Sequence, residues 1–289
     1  MKQPSQIIGE AIEQWKPAAI IAAYSGGYDS MCMTHYVLNN IKTDVDIWAI
    51  DTKLSSDGWL DWVISTGGVL GGDVNVYDNE EGFNEYKGWV EAHGQPYTKL
   101  MHSRAYRRLK DTAFATLLKK YKKGWRDKVL FLSGIRADES PERSQYNPVN
   151  RRGKSNAIFA NPIFYWTKQD IFNYRMAHEL PINPFYETVG GSGDCQCNWG
   201  KFITLRKLKQ HSPNLAAGNV ARIDELSKRF HGYGWDMTPS NQCEMFEDFE
   251  DDGEMTSPFL CSGCSRDKSP TPNRQAAEED RLLQMGLFD

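Results

Sequence analysis

Ser25-Gly26-Gly27-Tyr28-Asp29-Ser30 is the stretch whose reading decides the fold. Ahead of it runs Ala18-Ala19-Ile20-Ile21-Ala22-Ala23-Tyr24, a short apolar segment that reads as a buried parallel strand. Behind it, Met31 to Leu38 is apolar at helical spacing, so the glycines fall on a strand-to-helix turn. Glycine lets the backbone approach a ligand closely, and free N–H groups at a helix start favour an anion. Ser25 and Ser30 can add hydroxyl donors. Asp29 fits a phosphate site if it holds a metal ion or orients the loop. The Walker A spacing is absent, so a P-loop of that kind is excluded.

Outward from this turn, Val45–Ile50, Val74–Tyr77 and Val129–Leu132 read as further buried strands. Ser5–Lys16, Trp59–Val69, Phe83–Ala92 and Tyr106–Tyr121 read as helices. Strands alternating with helices predict an α/β fold with a parallel sheet covered on both faces. Ligands in such sheets bind beyond the carboxyl ends of the strands. Ser25–Ser30, Asp51-Thr52 and Ser133-Gly134-Ile135-Arg136 all fall at those ends, which predicts a single shared site.

The chain has 289 residues, 40% of them hydrophobic and 25% charged, enough for a large core. Its formal net charge of −4 provides no overall basic footprint for nucleic acid. Arg104–Lys110 and Arg143–Lys154 are local basic stretches, more in keeping with phosphate contacts or solvated helix faces. The first residues lack the apolar region of a secretory signal, and no apolar run is long enough to span a bilayer. A cytoplasmic location without membrane contact is therefore expected. There the six cysteines suit metal ligands or free thiols better than disulfides.

A second signature follows the fourth strand: Gly134-Ile135-Arg136-Ala137-Asp138-Glu139-Ser140, with Arg143 close behind. Two guanidinium groups at strand ends suit phosphate or sulfate through bidentate bonds. Then come Asn161-Pro162-Ile163-Phe164-Tyr165-Trp166-Thr167-Lys168-Gln169-Asp170-Ile171 and Leu180-Pro181-Ile182-Asn183-Pro184-Phe185-Tyr186. Thr167 can N-cap a helix from Lys168 to His178, and Pro181 follows its end.

The glycine turn resembles the PP-loop of the ATP pyrophosphatase superfamily, and the later signatures resemble its PAPS reductase branch. Together they cover roughly residues 18 to 200. The resemblance implies an adenine nucleotide α-hydrolase-like fold and binding of ATP, or a related adenylyl nucleotide, with Mg²⁺. It implies cleavage between the α- and β-phosphates to adenylate an acceptor in sulfur-transfer chemistry. Ser25, Gly26, Gly27, Tyr28, Asp29, Ser30, Asp51, Thr52, Lys110, Gly134 and Arg136 are the expected nucleotide-binding residues. Ser25, Asp29, Ser30, Arg136 and Arg143 are the expected catalytic ones, with Arg107 a weaker anion contact. The pattern is broken in three places. The Glu-Cys-Gly-x-His tail of the true reductases is absent, Tyr28 stands where many relatives have lysine, and Lys53 replaces the usual glycine. Reduction of PAPS or adenylylsulfate is thus the alternative reading. A non-catalytic nucleotide-binding adaptor is the third.

From about Gly190 the composition changes, and five of the six cysteines lie beyond it. The expected organisation is a PP-loop domain over 1–190, a cysteine-rich metal-binding subdomain over 191–268 and a flexible tail over 269–289. Cys195-x-Cys197 and Cys261-x-x-Cys264 have spacings that place two thiolates on one metal, and Cys243 is a fifth candidate. Zinc and a [4Fe-4S] cluster both fit the spacing. The family resemblance favours iron–sulfur, as in some adenylylsulfate reductases and the similar ATP pyrophosphatase of DNA phosphorothioation. Cys32 reads as a small buried hydrophobe.

Gln284-Met285-Gly286-Leu287-Phe288 resembles the pentapeptide by which bacterial proteins dock to the DNA polymerase sliding clamp. A short tail with adjacent apolar anchors suits a preformed groove, while a helix end packed on its own domain is the plainer alternative. By resemblance, the expected partners are an adenine nucleotide, a cysteine desulfurase or other sulfur donor, and DNA with its clamp.

Overall fold

The structure is a computed structural model that describes residues 2–141, 143–151, 155–197 and 203–237. Its elements, in order, are α1 (Pro4–Trp15), β1 (Ala19–Ala23), α2 (Tyr28–Asn40), β2 (Asp46–Asp51), α3 (Trp59–Ser65), α4 (Gly67–Leu70) and β3 (Val74–Asp78). There follow α5 (Glu80–His93), α6 (Lys99–Tyr106), α7 (Thr112–Tyr121), β4 (Val129–Leu132), β5 (Val149–Arg151) and β6 (Ala157–Ala160). The described chain ends with α8 (Lys168–Ala177), α9 (Phe185–Thr188), α10 (Leu205–His211), α11 (Pro213–Leu215) and α12 (Ala221–His231).

Six strands form one sheet in the order β3-β2-β1-β4-β6-β5, and only the edge strand β5 is antiparallel. Alternating residues of each strand feed two separate cores. Ile20, Ala22, Ile47, Ala49, Leu130, Leu132 and Ile158 pack on the face that carries α1, α2 and α8. Ile21, Trp48, Val129, Phe131 and Phe159 pack on the opposite face, against Leu117, Phe114 and Leu118 of α7. Burial on both faces explains why the central strands β1, β4 and β6 are wholly apolar. The chain runs outward from β1 through β2 to β3, then returns to β4 on β1's other side. The β1/β4 boundary is therefore the switch point where a parallel sheet opens a crevice.

The α/β class expected from the sequence is present, with two more strands than the four read there. β5 and β6 are short, and β5 is half-exposed, so neither carries a long apolar run. The helix expected over Trp59–Val69 is split at Thr66, whose Oγ1 back-bonds to the Trp62 and Val63 carbonyls. The helix expected to start at Tyr106 starts at Lys99, and a wide π turn over Arg107–Asp111 joins α6 to α7. Thr167 caps α8 as expected, its Oγ1 accepting the Asp170 N–H at 3.1 Å while Asp170 bonds back.

Chain on both sides of residue 190 shares one core, which contains Leu208, Leu215, Ile223 and Trp235. Tyr233 Oη donates to the Gln95 carbonyl at 2.9 Å, and the Gln196 N–H donates to the Leu54 carbonyl at 2.7 Å. Cys243, Cys261, Cys264 and the Gln284–Phe288 motif lie outside the described residues. Among the described residues, no helix is long and apolar enough to cross a membrane.

Candidate nucleotide site

Gly27 caps α2, so Tyr28, Asp29 and Ser30 form the first helical turn. Ser30 Oγ donates to the Gly27 carbonyl at 2.9 Å and lies 3.0 Å from Ser25 Oγ, which folds the loop on itself. The Gly26 carbonyl accepts from Trp62 Nε1 at 3.1 Å and from Asn183 Nδ2 at 2.7 Å. Gly26 needs its residue type twice over. Its φ is +78°, and a Cβ there would lie 3.0 Å from the Trp62 ring. Among the helix-start groups, Gly27 N–H points to Ser25 Oγ and Tyr28 N–H to Tyr186 Oη, each at 3.4 Å.

The loop after β4 meets this turn directly. A Cβ on Gly134 would stand 2.7 Å from both the Asp29 carbonyl carbon and the Ser30 nitrogen, which are backbone atoms with little freedom to move. Gly134→Ala is therefore expected to displace the first turn of α2 and to cost about 1–3 kcal/mol of stability, read from a denaturant titration. An unchanged midpoint would show that the two loops do not press on each other.

A cleft of about 930 Å³, counting its open mouth, lies between these two loops on the α7 face of the sheet. Its polar end is lined by Ser25, Gly27, Asp29, Ser30, Ser133, Gly134, Glu139, Arg143, Lys110, Asp194, Ser192 and Tyr186. Its other end is apolar, made by Trp48, Ile50, Tyr106, Phe114, Phe131, Ile135 and Phe159. Phe131 and Phe159 stack at 5.2 Å, and Phe114 meets both edge-on.

The expected site residues take different stations around this cleft. Ser25, Gly27, Asp29, Ser30, Lys110, Gly134 and Arg143 all line it. Arg136 does not. Its buried guanidinium lies behind Asp29, with Nε donating to Oδ1 at 3.1 Å and further bonds to Asp138 and the Trp166 carbonyl. The anion contact expected of Arg136 is thus replaced by a grip on Asp29. Burial pushes the Asp29 carboxyl up to about 6, against the opposing pull of Arg136. Arg143 is buried on the cleft wall and ion-paired with Glu139, whose Oε2 also accepts the Arg136 N–H at 3.0 Å.

Asp51 and Thr52 end β2 but are not among the lining residues. Asp51 takes Lys53 Nζ at 3.2 Å and the Ser55 hydroxyl at 3.1 Å. Thr52 Oγ1 donates to the Asp194 carbonyl at 2.9 Å. Tyr28 is not among the lining residues and is stacked on Tyr186 at 4.2 Å, with Arg175 at 3.6 Å from its ring. Arg107 is likewise absent from the lining.

Among the polar lining residues, Glu139, Tyr186, Ser192 and Asp194 escaped the sequence reading as site residues, as did the whole aromatic wall. Asp194 is buried, bonded to Lys110 and to the Ser192 hydroxyl, and it brings the polar wall of the cleft from far along the chain. The Gly193 kink beside it, with φ of +84°, was its one local signal.

Cys195 and Cys197 follow at once, buried among core residues and in contact with each other. The bond from Cys197 and burial both push the Cys195 thiol well up, so it stays protonated. Cys32 is buried beneath α8, and its Sγ lies 3.8 Å from the Ile171 carbonyl. No group of three His, Cys, Asp or Glu is arranged to hold a metal among the described residues.

The phosphoadenosine phosphosulfate reductase domain matches this sequence over residues 19–199. The chain belongs to that family. An uncharacterized protein of Methanocaldococcus jannaschii is 27% identical over 221 residues, covering 75% of this chain and 44% of that protein. The adenosine 5'-phosphosulfate reductase of Lysinibacillus sphaericus is 35% identical over 66 residues, 23% of this chain and 28% of that enzyme. The chain thus spans less than half the length of these curated relatives. A crystal structure of phosphoadenylyl-sulfate reductase from Candida auris, as a phosphate complex, aligns with TM-score 0.46 and 15% identity, over 64% of this chain and 84% of that one.

Proposed function

We propose that the cleft binds an adenine nucleotide and that the protein is an enzyme which cleaves its α–β phosphate bond, adenylating an acceptor in sulfur-transfer chemistry. One observation carries this reading. The Ser25–Ser30 loop, the cations Lys110 and Arg143, and an aromatic wall all line one cleft at the β1/β4 switch point. Phosphates would lie on the loop and at the start of α2, and the base would lie against Phe131, Phe159 and Trp48. Attack by the acceptor on the α-phosphorus forms one P–O bond and breaks the α–β P–O bond, releasing pyrophosphate. In such displacements positioning and charge neutralisation do most of the work. Arg143 and Lys110 would neutralise charge on the phosphates, and Asp29, held by Arg136, would position Mg²⁺. The bound Mg²⁺ would supply Lewis-acid neutralisation of the departing pyrophosphate.

Cys195 and Cys197 fit half of a four-thiolate site, being adjacent, inward-facing and shielded from water. The remaining ligands would be drawn from Cys243, Cys261 and Cys264. Iron–sulfur is the reading preferred over zinc, and when bound it would join the C-terminal chain to the cleft wall. A cysteine desulfurase or another sulfur donor would complete the pathway, with nucleic acid as acceptor. Reduction of a sulfonate by Cys195 is disfavoured, because a buried, protonated thiol is a poor nucleophile.

The test is anaerobic purification followed by iron, sulfide and zinc analysis, with assay of the same sample for AMP and pyrophosphate. Pyrophosphate release with stoichiometric iron is the expected result. Nucleotide binding without any pyrophosphate, in the presence of DNA or tRNA, would replace the enzyme with an adaptor.

A further inference from the structure

Between α7 and β4 the chain reads Lys119-Lys120-Tyr121-Lys122-Lys123-Gly124-Trp125-Arg126-Asp127-Lys128. Six cations stand here against one carboxylate, in a protein whose net charge is −4. The segment closes α7 and leads into β4, so it lies at the N-terminal edge of the parallel strands, opposite the cleft.

Its backbone is held in place. Asp127 Oδ2 accepts the N–H groups of Lys123 at 3.0 Å and Gly124 at 2.6 Å, which commits the carboxylate to the turn. Asn156 Nδ2 donates to the Trp125 carbonyl at 2.6 Å, and the Ala18 N–H donates to the Lys128 carbonyl at 2.8 Å. None of the six cations forms an ion pair with a carboxylate among the described residues. Lys16 and Arg151, both exposed, lie beside the same edge, Lys16 two residues before Ala18 and Arg151 bonded to the Ser155 carbonyl at 2.9 Å.

Trp125 is 77% exposed, and the Arg126 guanidinium lies 4.4 Å from its ring centre. The hydrogen bonds of the loop hold this indole in water with a flat face open to a ligand. A flat ring paired with a guanidinium and ringed by lysines fits a planar base on a phosphate chain. A lipid surface would ask for several apolar anchors, whereas Trp125 is the one large apolar side chain exposed in this loop.

We propose that this edge is a docking surface for single-stranded nucleic acid, with phosphates on the lysines and Arg126 and one unpaired base stacked on Trp125. The inference rests on the nucleic-acid acceptor of that reading and deepens it by giving the acceptor a docking edge, on residues that the cleft does not use. The ten residues of α7 span about 15 Å, so a strand docked here lies one helix length from Phe114 and the cleft.

The test measures anisotropy of fluorescein-labelled single-stranded and duplex oligonucleotides between about 50 and 200 mM salt. Wild-type protein is expected to bind single strands with affinity that falls steeply with salt. Lys119→Glu combined with Lys123→Glu should weaken binding at least about tenfold and flatten the salt dependence. Trp125→Ala should weaken single-strand binding at least about fivefold and leave duplex binding unchanged, with Trp125→Phe restoring most of the loss. Absence of oligonucleotide binding at the lowest salt would overturn the proposal. So would variants that bind like wild type, equal losses on duplex, or capture by phosphatidylserine vesicles in place of oligonucleotides. All altered side chains are exposed, and melting curves confirm that each variant is folded. Nucleotide binding in the cleft, measured on the same samples, reports on the other reading separately.

Discussion

Asn183→Ala is expected to lower stability by about 3 kcal/mol and to loosen the phosphate loop. Asn183 is fully buried and makes three bonds of different kinds. Its Nδ2 donates to the Gly26 carbonyl at 2.7 Å and to the Ser192 carbonyl at 3.2 Å, and its Oδ1 accepts the Phe185 N–H at 2.7 Å. The side chain thus joins the β1 loop to the chain that forms the far wall of the cleft. Alanine would strip a partner from all three groups, and each buried polar group left unmatched costs about 1–3 kcal/mol. Trp62 still serves Gly26, which keeps the total near the low end of the sum. A melting temperature lower by roughly 6–12 °C is the expected readout for a protein of this size. Nucleotide affinity should fall as well. A variant that melts within a degree of wild type would show that the loop and wall are held by something else.

Asp29→Asn is expected to cost about 100-fold in turnover, a loss on the scale seen when a group supporting a metal is removed. The pH profile gives a second readout. Because the Asp29 carboxyl is held up to about 6 by burial, wild-type turnover should rise with pH through about 6 as the carboxylate forms. Below that point it should fall about tenfold per pH unit, and the asparagine variant should be flat there. Stability moves the other way. A raised folded pKa means that the folded state holds its proton where the unfolded chain, at 3.8, has lost it. Stability therefore drops as pH rises from about 4 to about 6, by roughly 3 kcal/mol at most, and stays lower above. Asparagine removes that slope. A wild-type profile without an inflection near 6 would remove Asp29 from the chemistry.

Much of this was legible in local sequence, for reasons that set its limits. The Ser25–Ser30 turn is contiguous, so strand, glycines and helix start could be read together, and Thr167 announced α8 through its own capping geometry. Arg143 was likewise marked by charge near a strand end, and Lys110 by the family resemblance. The misses share one cause. Arg136 read as an anion ligand because its charge is visible in sequence, while its pairing with Asp29, 107 residues away, is not. Asp51 looked equally suited to a ligand until Lys53 and Ser55 claimed it. The aromatic wall was hidden in the alternation of the strands, where Trp48, Phe131 and Phe159 read simply as core. β5 was too short and too exposed to announce itself.

The reach from Lys110 to Asp194, 84 residues on, bears on how the protein is made. A chain grows from its N-terminus, and its early portions begin to fold while the rest is still being added. The phosphate loop is thus made first, and Tyr186, Ser192 and Asp194 follow more than 150 residues later. A nascent or prematurely ended chain carries the cradle without its opposite wall, and so has nowhere to enclose a nucleotide. Competence arrives late, and only in chains that have passed residue 194.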